Sequence, residues 1–315
     1  MARIFVLGAT GTIGRVTVRA LVAQGHDVVA FVRHGDVALP GAEIRVGNVV
    51  DGGAFARDGL RGEQFDVLVS CLASRTGAPA DAWAIDYRAN LTALNAAIDA
   101  GVGHAILLSA ICVQKPRLAF QHAKLAMERA LIGSGIDWTI VRPTAFFKSL
   151  SGQIARVRAG KAFVLFGDGE LTACKPISDD DLGAFIADCV ERADRRNKIL
   201  PIGGPGPAIT PREQGGRLFE LLGREPKFRH VPVRLMDAVV RILGLVPGLG
   251  DKAELARIGR YYATESMLVL DPATNRYDAA ATPEAGSETL FDFYARVLRD
   301  EAEVALGDPA VFQRS

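Results

Sequence analysis

The sequence predicts an α/β protein built on a doubly wound parallel sheet. Three observations carry that prediction. Short β-rich runs alternate with helical patterns through the first half of the chain, the apolar runs do not alternate with polar residues, and a glycine-rich turn joins the first run to the first helix. Composition fits such a fold. Of 315 residues 49% are hydrophobic, enough for a sizeable core, and the 33 glycines exceed the usual share. With 37 basic against 36 acidic residues the net charge is +1, which argues against a nucleic-acid partner.

The predicted strands are Ile4–Leu7, Val28–Val32, Ile44–Val46, Val67–Ser70, Ala105–Ser109 and Trp138–Val141. Helical patterns cover Gly14–Gln24, Ala82–Ala100 and Gln121–Ser134. After residue 150 the rhythm loosens, so the chain divides into a sheet-bearing part, 1–150, to which later segments can return, and a C-terminal part, 151–315. Ser178-Asp179-Asp180-Asp181 reads as a helix start, with a hydroxyl before three acids at the positive helix end. Gly203–Pro207 is a turn ahead of a helix at Pro211–Leu222. Val231–Gly250 is apolar with few charges, and three readings stand: a buried helix end, a ligand-cavity wall, or a surface that touches a membrane.

No uncharged stretch is long enough to span a bilayer, and Met1-Ala2-Arg3 runs straight into the first strand without a signal or transit pattern. The four cysteines and five histidines are dispersed. Reduced thiols in a bacterial cytoplasm and no metal site are therefore expected.

The strongest local signal is Gly8-Ala9-Thr10-Gly11-Thr12-Ile13-Gly14, between the first strand and the first helix. Gly8 permits the tight turn, Gly11 lets a pyrophosphate approach the backbone, and Gly14 lets helix and strand pack closely. This is the phosphate turn of a Rossmann-type sheet, with Thr10, Thr12 and Ile13 as further contacts. The second strand runs into Arg33-His34, with no acid to hold a ribose 2′-hydroxyl. Arg33 is the candidate ligand for a 2′-phosphate, which makes NADPH the expected cofactor; the alternative is a solvated surface arginine. Asn48, after the third strand, is placed to contact adenine.

The arrangement resembles the atypical branch of the short-chain dehydrogenase/reductase superfamily. Enzymes of that group commonly pair Tyr and Lys, four residues apart on a helix, after a serine that ends the fifth strand. Here Ser109 and Lys124 are in place, and Phe120 occupies the tyrosine position. Lys124 can reach the nicotinamide ribose, while Phe120 offers an apolar wall without an acidic hydroxyl. Carbonyl reduction needs a donor at the developing alkoxide. Reduction of an alkene conjugated to a large π-system does not, so an alkene reductase or a non-catalytic nucleotide binder remains.

Longer strings sharpen the resemblance: Ser70–Gly77, Leu107–Pro116, Val141–Leu150, Phe166–Gly169, Ala173–Ser178, Leu200–Gly206 and Ile258–Ala263. Together they are similar to the NADPH-dependent divinyl chlorophyllide 8-vinyl reductases, from about residue 3 to about residue 300. Thr12 and Asn48 stand where that family commonly has Tyr and Asp. The resemblance implies a magnesium divinyl tetrapyrrole as substrate and reduction of its 8-vinyl group to ethyl. It further implies that Lys124 either donates the proton or only holds the ribose, that Cys71, Leu72, Ala73, Ser109, Pro143 and Thr144 line the cofactor, and that Phe120, Phe146 and Phe147 meet the substrate. The part 151–315 is then a smaller substrate-binding region, and the protein stands in the cytoplasm or at the edge of a photosynthetic membrane. Two other readings remain open: an NADP-binding redox sensor or assembly factor, and a reductase of another conjugated alkene.

Overall fold

The computed structural model describes residues 1–246 and 248–299. The end of the expected second part, 300–315, lies outside the described residues. Strands in chain order are β1 (Arg3–Leu7), β2 (Asp27–Val32), β3 (Ala42–Val46), β4 (Val67–Ser70), β5 (His104–Leu108), β6 (Asp137–Pro143), β7 (Phe163–Phe166), β8 (Lys198–Ile202), β9 (Phe228–Val231), β10 (Val269–Asp271) and β11 (Arg276–Asp278). The main sheet has the order β3-β2-β1-β4-β5-β6-β8. Each of the five pairings from β3 across to β6 is parallel, with Leu7 opposite Phe31 on one side and Ser70 on the other. Strand order reverses between β1 and β4, where such sheets open a crevice at their carboxyl ends.

The apolar runs of β1, β2, β4 and β5 are buried on both faces: Ile4, Phe5, Val6 and Leu7 are all inaccessible or nearly so, whereas Val46 on the edge strand β3 is exposed. One face is filled by Phe5, Phe31, Phe55 and Phe65, which meet edge to face at centroid distances of 5.0–5.5 Å around Phe5 and Phe55. The expected strand boundaries shift by a few residues at most, because backbone pairing extends beyond the apolar stretch.

The helical pattern at Ala82–Ala100 is not one regular helix. A turn at Pro79–Ala82 leads into a wide, π-type segment, Trp83–Ala89, and only then into the α-helix Asn90–Asp99. The cause is a side chain in the ladder: the Asn90 amide donates to the carbonyls of Ile85 and Asp86 at 3.0 and 3.3 Å.

The chain divides into two compact units, Met1–Pro143 with Asp179–Pro201, and Thr144–Ser178 with the residues from Ile202 onward. The first boundary falls at 143 rather than 150 because β6 ends there, and the return of Asp179–Pro201 adds β8 beside it. The returning helix Asp179–Asp188 packs on the first helix, Thr12–Ala23, where Gln24 donates to Asp188 at 2.8 Å and Arg19 pairs with Asp180.

The second unit has its own core of Phe147, Ile154, Val157, Phe163, Leu165, Leu218, Phe219, Leu290, Tyr294 and Val297. Its helix Pro211–Leu221 starts at a capping box, Thr210 with Glu213, as the Pro-led pattern anticipates. The apolar segment at Val231–Gly250 forms the helix Val233–Leu245, and none of its residues is buried. The buried-end reading is therefore corrected: Leu235, Val239, Ile242 and Leu245 face outward, Ile242 at 62% and Leu245 at 78% exposure. The helix packs along Gly250–Thr264 and half-buries Met236, Val240 and Leu243 there, so its apolar surface is wider than the one contact covers. Among the described residues no helix is long and apolar enough to cross a membrane.

Candidate active site

Chain leaving β1 enters Gly8 at φ +70°, in the left-handed region. A Cβ on Gly8 would lie 2.6 Å from the Cys71 carbonyl carbon and 2.8 Å from the Leu72 nitrogen, so the ends of β1 and β4 approach backbone to backbone. Gly11 N–H donates to the Gly8 carbonyl at 3.0 Å and closes the turn. A Cβ on Gly14 would stand 2.1 Å from that same oxygen. Gly11 begins the helix Thr12–Ala23 and brings no capping side chain to it. Thr10 and Thr12 are exposed on the turn, whereas Ile13 is turned into the core and offers the site only its backbone. The result is a cradle that any side chain would fill, at a helix N-terminus, and it fits a pyrophosphate.

Arg33 follows β2 directly and is exposed. Its charge reaches Asp81: burial raises that carboxyl, but hydrogen bonds from Thr76 and Arg75, with the Arg33 charge, bring it below its ordinary value. Asn48 is exposed after β3, its Oδ1 accepting from Val50 N–H at 3.1 Å. At the end of β4, Cys71 N–H donates to the Leu7 carbonyl at 3.0 Å and Leu72 N–H donates to Ser70 Oγ at 3.4 Å. Burial pushes the Cys71 thiol up to about 12, against smaller opposing effects of Thr17 and Lys124, so it is no nucleophile at neutral pH. Ala73 is exposed beside them.

The helix Ala119–Ile132 carries Phe120 and Lys124 one turn apart. Its start is fixed by Gln121, fully buried, whose Oε1 accepts from Arg117 and Leu118 N–H at 2.7 and 3.0 Å and whose amide donates to the Cys112 carbonyl at 3.2 Å. Phe120 is half-buried. Lys124 Nζ stands 3.0 Å from Asp86 Oδ1, with the lysine side chain 12% exposed and the aspartate wholly enclosed. One turn further on, Glu128 is buried between Arg142, which holds both its oxygens, and Ser109, whose hydroxyl donates to it at 2.5 Å. Ser109 is thus committed to a buried carboxylate, a different disposition from a serine turned toward a substrate carbonyl.

Sequence reasoning missed Asp86, Glu128, Arg142 and Gln121. A signal for Asp86 was available: with Ala82, Ala89, Asn90, Ala93 and Ala97 it lies on the buried stripe of its segment, an acid where apolar residues are the rule.

Pro143 is buried at the end of β6. In the second unit, Thr144 is buried, its N–H donating to the Ile202 carbonyl at 2.9 Å and its hydroxyl to the Lys175 carbonyl. Phe147 is 2% exposed within that unit's core and tilted on Phe293 at 5.5 Å, which withdraws it from the expected substrate contacts. Adjacent side chains diverge, so Phe146 is the half-buried member of the pair.

The sheet order, the glycine cradle at its crevice and a lysine near that crevice define a dinucleotide-binding protein of reductase type. Residues 8–193 match a family profile described as NAD(P)H-binding. The chain is similar in structure to the leucoanthocyanidin reductase of Vitis vinifera, solved with NADPH, with a TM-score of 0.70, 16% identity and coverage of 95% and 100% of the two chains. It is 49% identical to the chloroplastic divinyl chlorophyllide a 8-vinyl-reductase of Oryza sativa subsp. indica, covering 98% of this chain and 82% of that one. Against the enzyme of the same name from Arabidopsis thaliana it is 47% identical, covering 94% and 77%. The chain belongs to the divinyl chlorophyllide a 8-vinyl-reductase family, within the NAD(P)H-binding proteins.

Proposed function

We propose that this chain reduces the 8-vinyl group of a magnesium divinyl chlorophyllide to ethyl with NADPH, a step of chlorophyll or bacteriochlorophyll formation. The observation that carries this reading is 49% identity to such an enzyme across 98% of the chain. NADPH, when bound, supplies the hydride. Gly8, Gly11 and Gly14 keep the backbone clear for the pyrophosphate at the start of Thr12–Ala23, and Arg33 pairs with the 2′-phosphate. Asn48 faces the adenine end, and the Cys71–Ala73 backbone flanks the dinucleotide at the end of β4.

Phe120 presents an apolar wall where a carbonyl reductase has a hydroxyl. It excludes water and offers no proton to an oxygen, which suits hydride addition to a vinyl terminus whose charge spreads into a conjugated macrocycle. Lys124 either holds the ribose hydroxyls or supplies the proton, directly or through a water it orients. The second unit, which carries the half-buried Phe146, is the part that binds the pigment.

An absorbance assay tests the reading. With divinyl chlorophyllide, NADPH is consumed while the pigment spectrum shifts as one vinyl group leaves conjugation, and NADH run in parallel is used more slowly. An unchanged spectrum with a substrate that a rice or Arabidopsis enzyme reduces overturns it. The exposed stripe Leu235, Val239, Ile242 and Leu245 supports peripheral contact with a photosynthetic membrane. Co-sedimentation with anionic vesicles, reduced by serines at 242 and 245, checks that contact.

A further inference from the structure

The hydrogen bonding of Asp86 is unlike that of its neighbour Asp81. Asp81 takes N–H groups from Arg75 and Thr76 and the Thr76 hydroxyl, at 2.9–3.0 Å, as a loop-fixing carboxylate does. Asp86 is buried deeper, yet among the described residues its Oδ2 has no hydrogen-bond partner, and its Oδ1 has one close ion-pair partner, Lys124 Nζ at 3.0 Å, besides a long contact from Ser74 N–H at 3.4 Å. Enclosing a carboxylate with an acceptor left open is costly unless something other than folding retains it. The backbone around it is equally unusual. The wide turn Trp83–Ala89 moves Asp86 relative to a regular helix, and Asn90 holds that turn while its Oδ1 accepts from Ser70 Oγ at 2.5 Å. Ser70 in turn accepts from Leu72 N–H, so the end of β4 and the Asp86 turn are tied together.

We infer that Asp86 is the positioning residue for Lys124: its carboxylate fixes the ammonium at one point beside the end of β4, where the dinucleotide ribose and the reacting substrate are to be met. The inference rests on the role given to Lys124 above. The lysine stem has four rotatable bonds and would otherwise sample many positions, so an anchored ammonium presents its two remaining N–H groups in one direction. Cys71 faces the pair from β4 and Thr17 holds its thiol, neither carrying charge at neutral pH; His122 on the lysine's own helix is exposed.

A double-mutant cycle over Asp86→Asn and Lys124→Met tests this, read by fluorescence titration of NADPH, by melting temperature, and by kcat and KM. Asp86→Asn keeps the shape and removes the charge. It is expected to weaken NADPH binding about 10-fold and lower kcat by about 10-fold or more, with the pigment KM within about twofold. Asp86→Glu recovers part of both losses. In the Lys124→Met background, Asp86→Asn costs no further binding. Lys124→Met alone leaves a buried unpaired carboxylate and lowers the melting temperature by on the order of 5–10 °C, and adding Asp86→Asn restores part of that. Equal losses from Asp86→Asn in both backgrounds, or wild-type binding by the single variant, overturn the inference. The binding and melting measurements need no pigment, so they decide the pair even if the vinyl-reductase assay fails. Should Asp86→Asn alone not fold, Asp86→Glu and the comparison of Lys124→Met with the double variant still read the coupling.

Discussion

The glycine turn at Gly8–Gly14 and the helix Val233–Leu245 are opposite cases of how a sequence is held to its shape. In the turn, backbone meets backbone: an added Cβ lies 2.1 Å from a carbonyl oxygen at Gly14 and 2.6 Å from one at Gly8. Nothing outside the chain is needed to explain those residues. In the helix no residue is buried: it packs along Gly250–Thr264, which leaves Met236, Val240 and Leu243 half-buried and the stripe Leu235, Val239, Ile242 and Leu245 exposed. The first region is closed in by its own backbone, the second is covered on one side only. The same substitution chemistry should therefore have opposite consequences in the two.

The largest effect belongs to the turn. Gly14→Val has no room for its side chain, and we expect NADPH binding to fall at least 100-fold with a loss of about 3 kcal/mol in stability, read by fluorescence titration and thermal melting. Near-normal binding by this variant would falsify the cradle and erase the contrast.

A comparable stake lies at the other end of the strands. His104 is buried, its Nε2 3.0 Å from Thr139 Oγ1 and its Nδ1 without a partner among the described residues, and desolvation, helped by the Arg196 charge, pushes its pKa down to about 4. The unfolded chain binds this proton first, near pH 6.5, so the contribution is complete above that value. As pH falls from 6.5 to about 4 the protein loses on the order of 3 kcal/mol, and His104→Gln flattens that limb in acid melts. An unaltered pH dependence in the variant contradicts the assignment.

Smaller effects follow where the contact is with a ligand alone. Arg33→Ala should leave the melting temperature unchanged and reduce the preference for NADPH over NADH by about 10- to 100-fold, measured as the ratio of the two Kd values. An unchanged ratio makes Arg33 a surface residue. The smallest effect belongs to the outward helix: Ile242→Ser should stay within about 0.5 kcal/mol of wild type in denaturant melts. A larger loss means that the stripe is covered by the chain's own copies, which concentration-dependent melting would reveal.

What was legible in the sequence divides along the same line. The strands β1–β6, the glycine turn before the first helix and the helix that carries Phe120 and Lys124 fall within a few residues of where the sequence puts them, because periodicity, glycine and helical spacing are local properties. Asp86 was not, since its tie to Lys124 links distant segments and depends on a wide turn that the regular-helix pattern conceals. Ser109 was recognised at its strand end, but not its capture by Glu128 and Arg142, whose side chains come from two other elements. For Val233–Leu245 the composition stated how apolar the helix is and left open what covers it. Phe147 shows the same limit at one residue: the pair Phe146-Phe147 announced an apolar surface, and only the second unit's core decided which ring it took.

The late arrival of β8 bears on how the protein is made. Residues 144–178 are synthesised between β6 and the helix that returns to the sheet, and β8 docks beside β6 through Asn197, whose side-chain oxygen accepts from Trp138 N–H at 3.1 Å. At translation speeds of roughly 5–20 residues per second, β6 stays an open edge for on the order of seconds on the ribosome. During that interval its unpaired backbone is a template for another nascent chain. A gene cut after Pro143 therefore encodes an aggregation-prone fragment rather than a free-standing cofactor domain, and synthesis must run through Pro201 before the sheet can close.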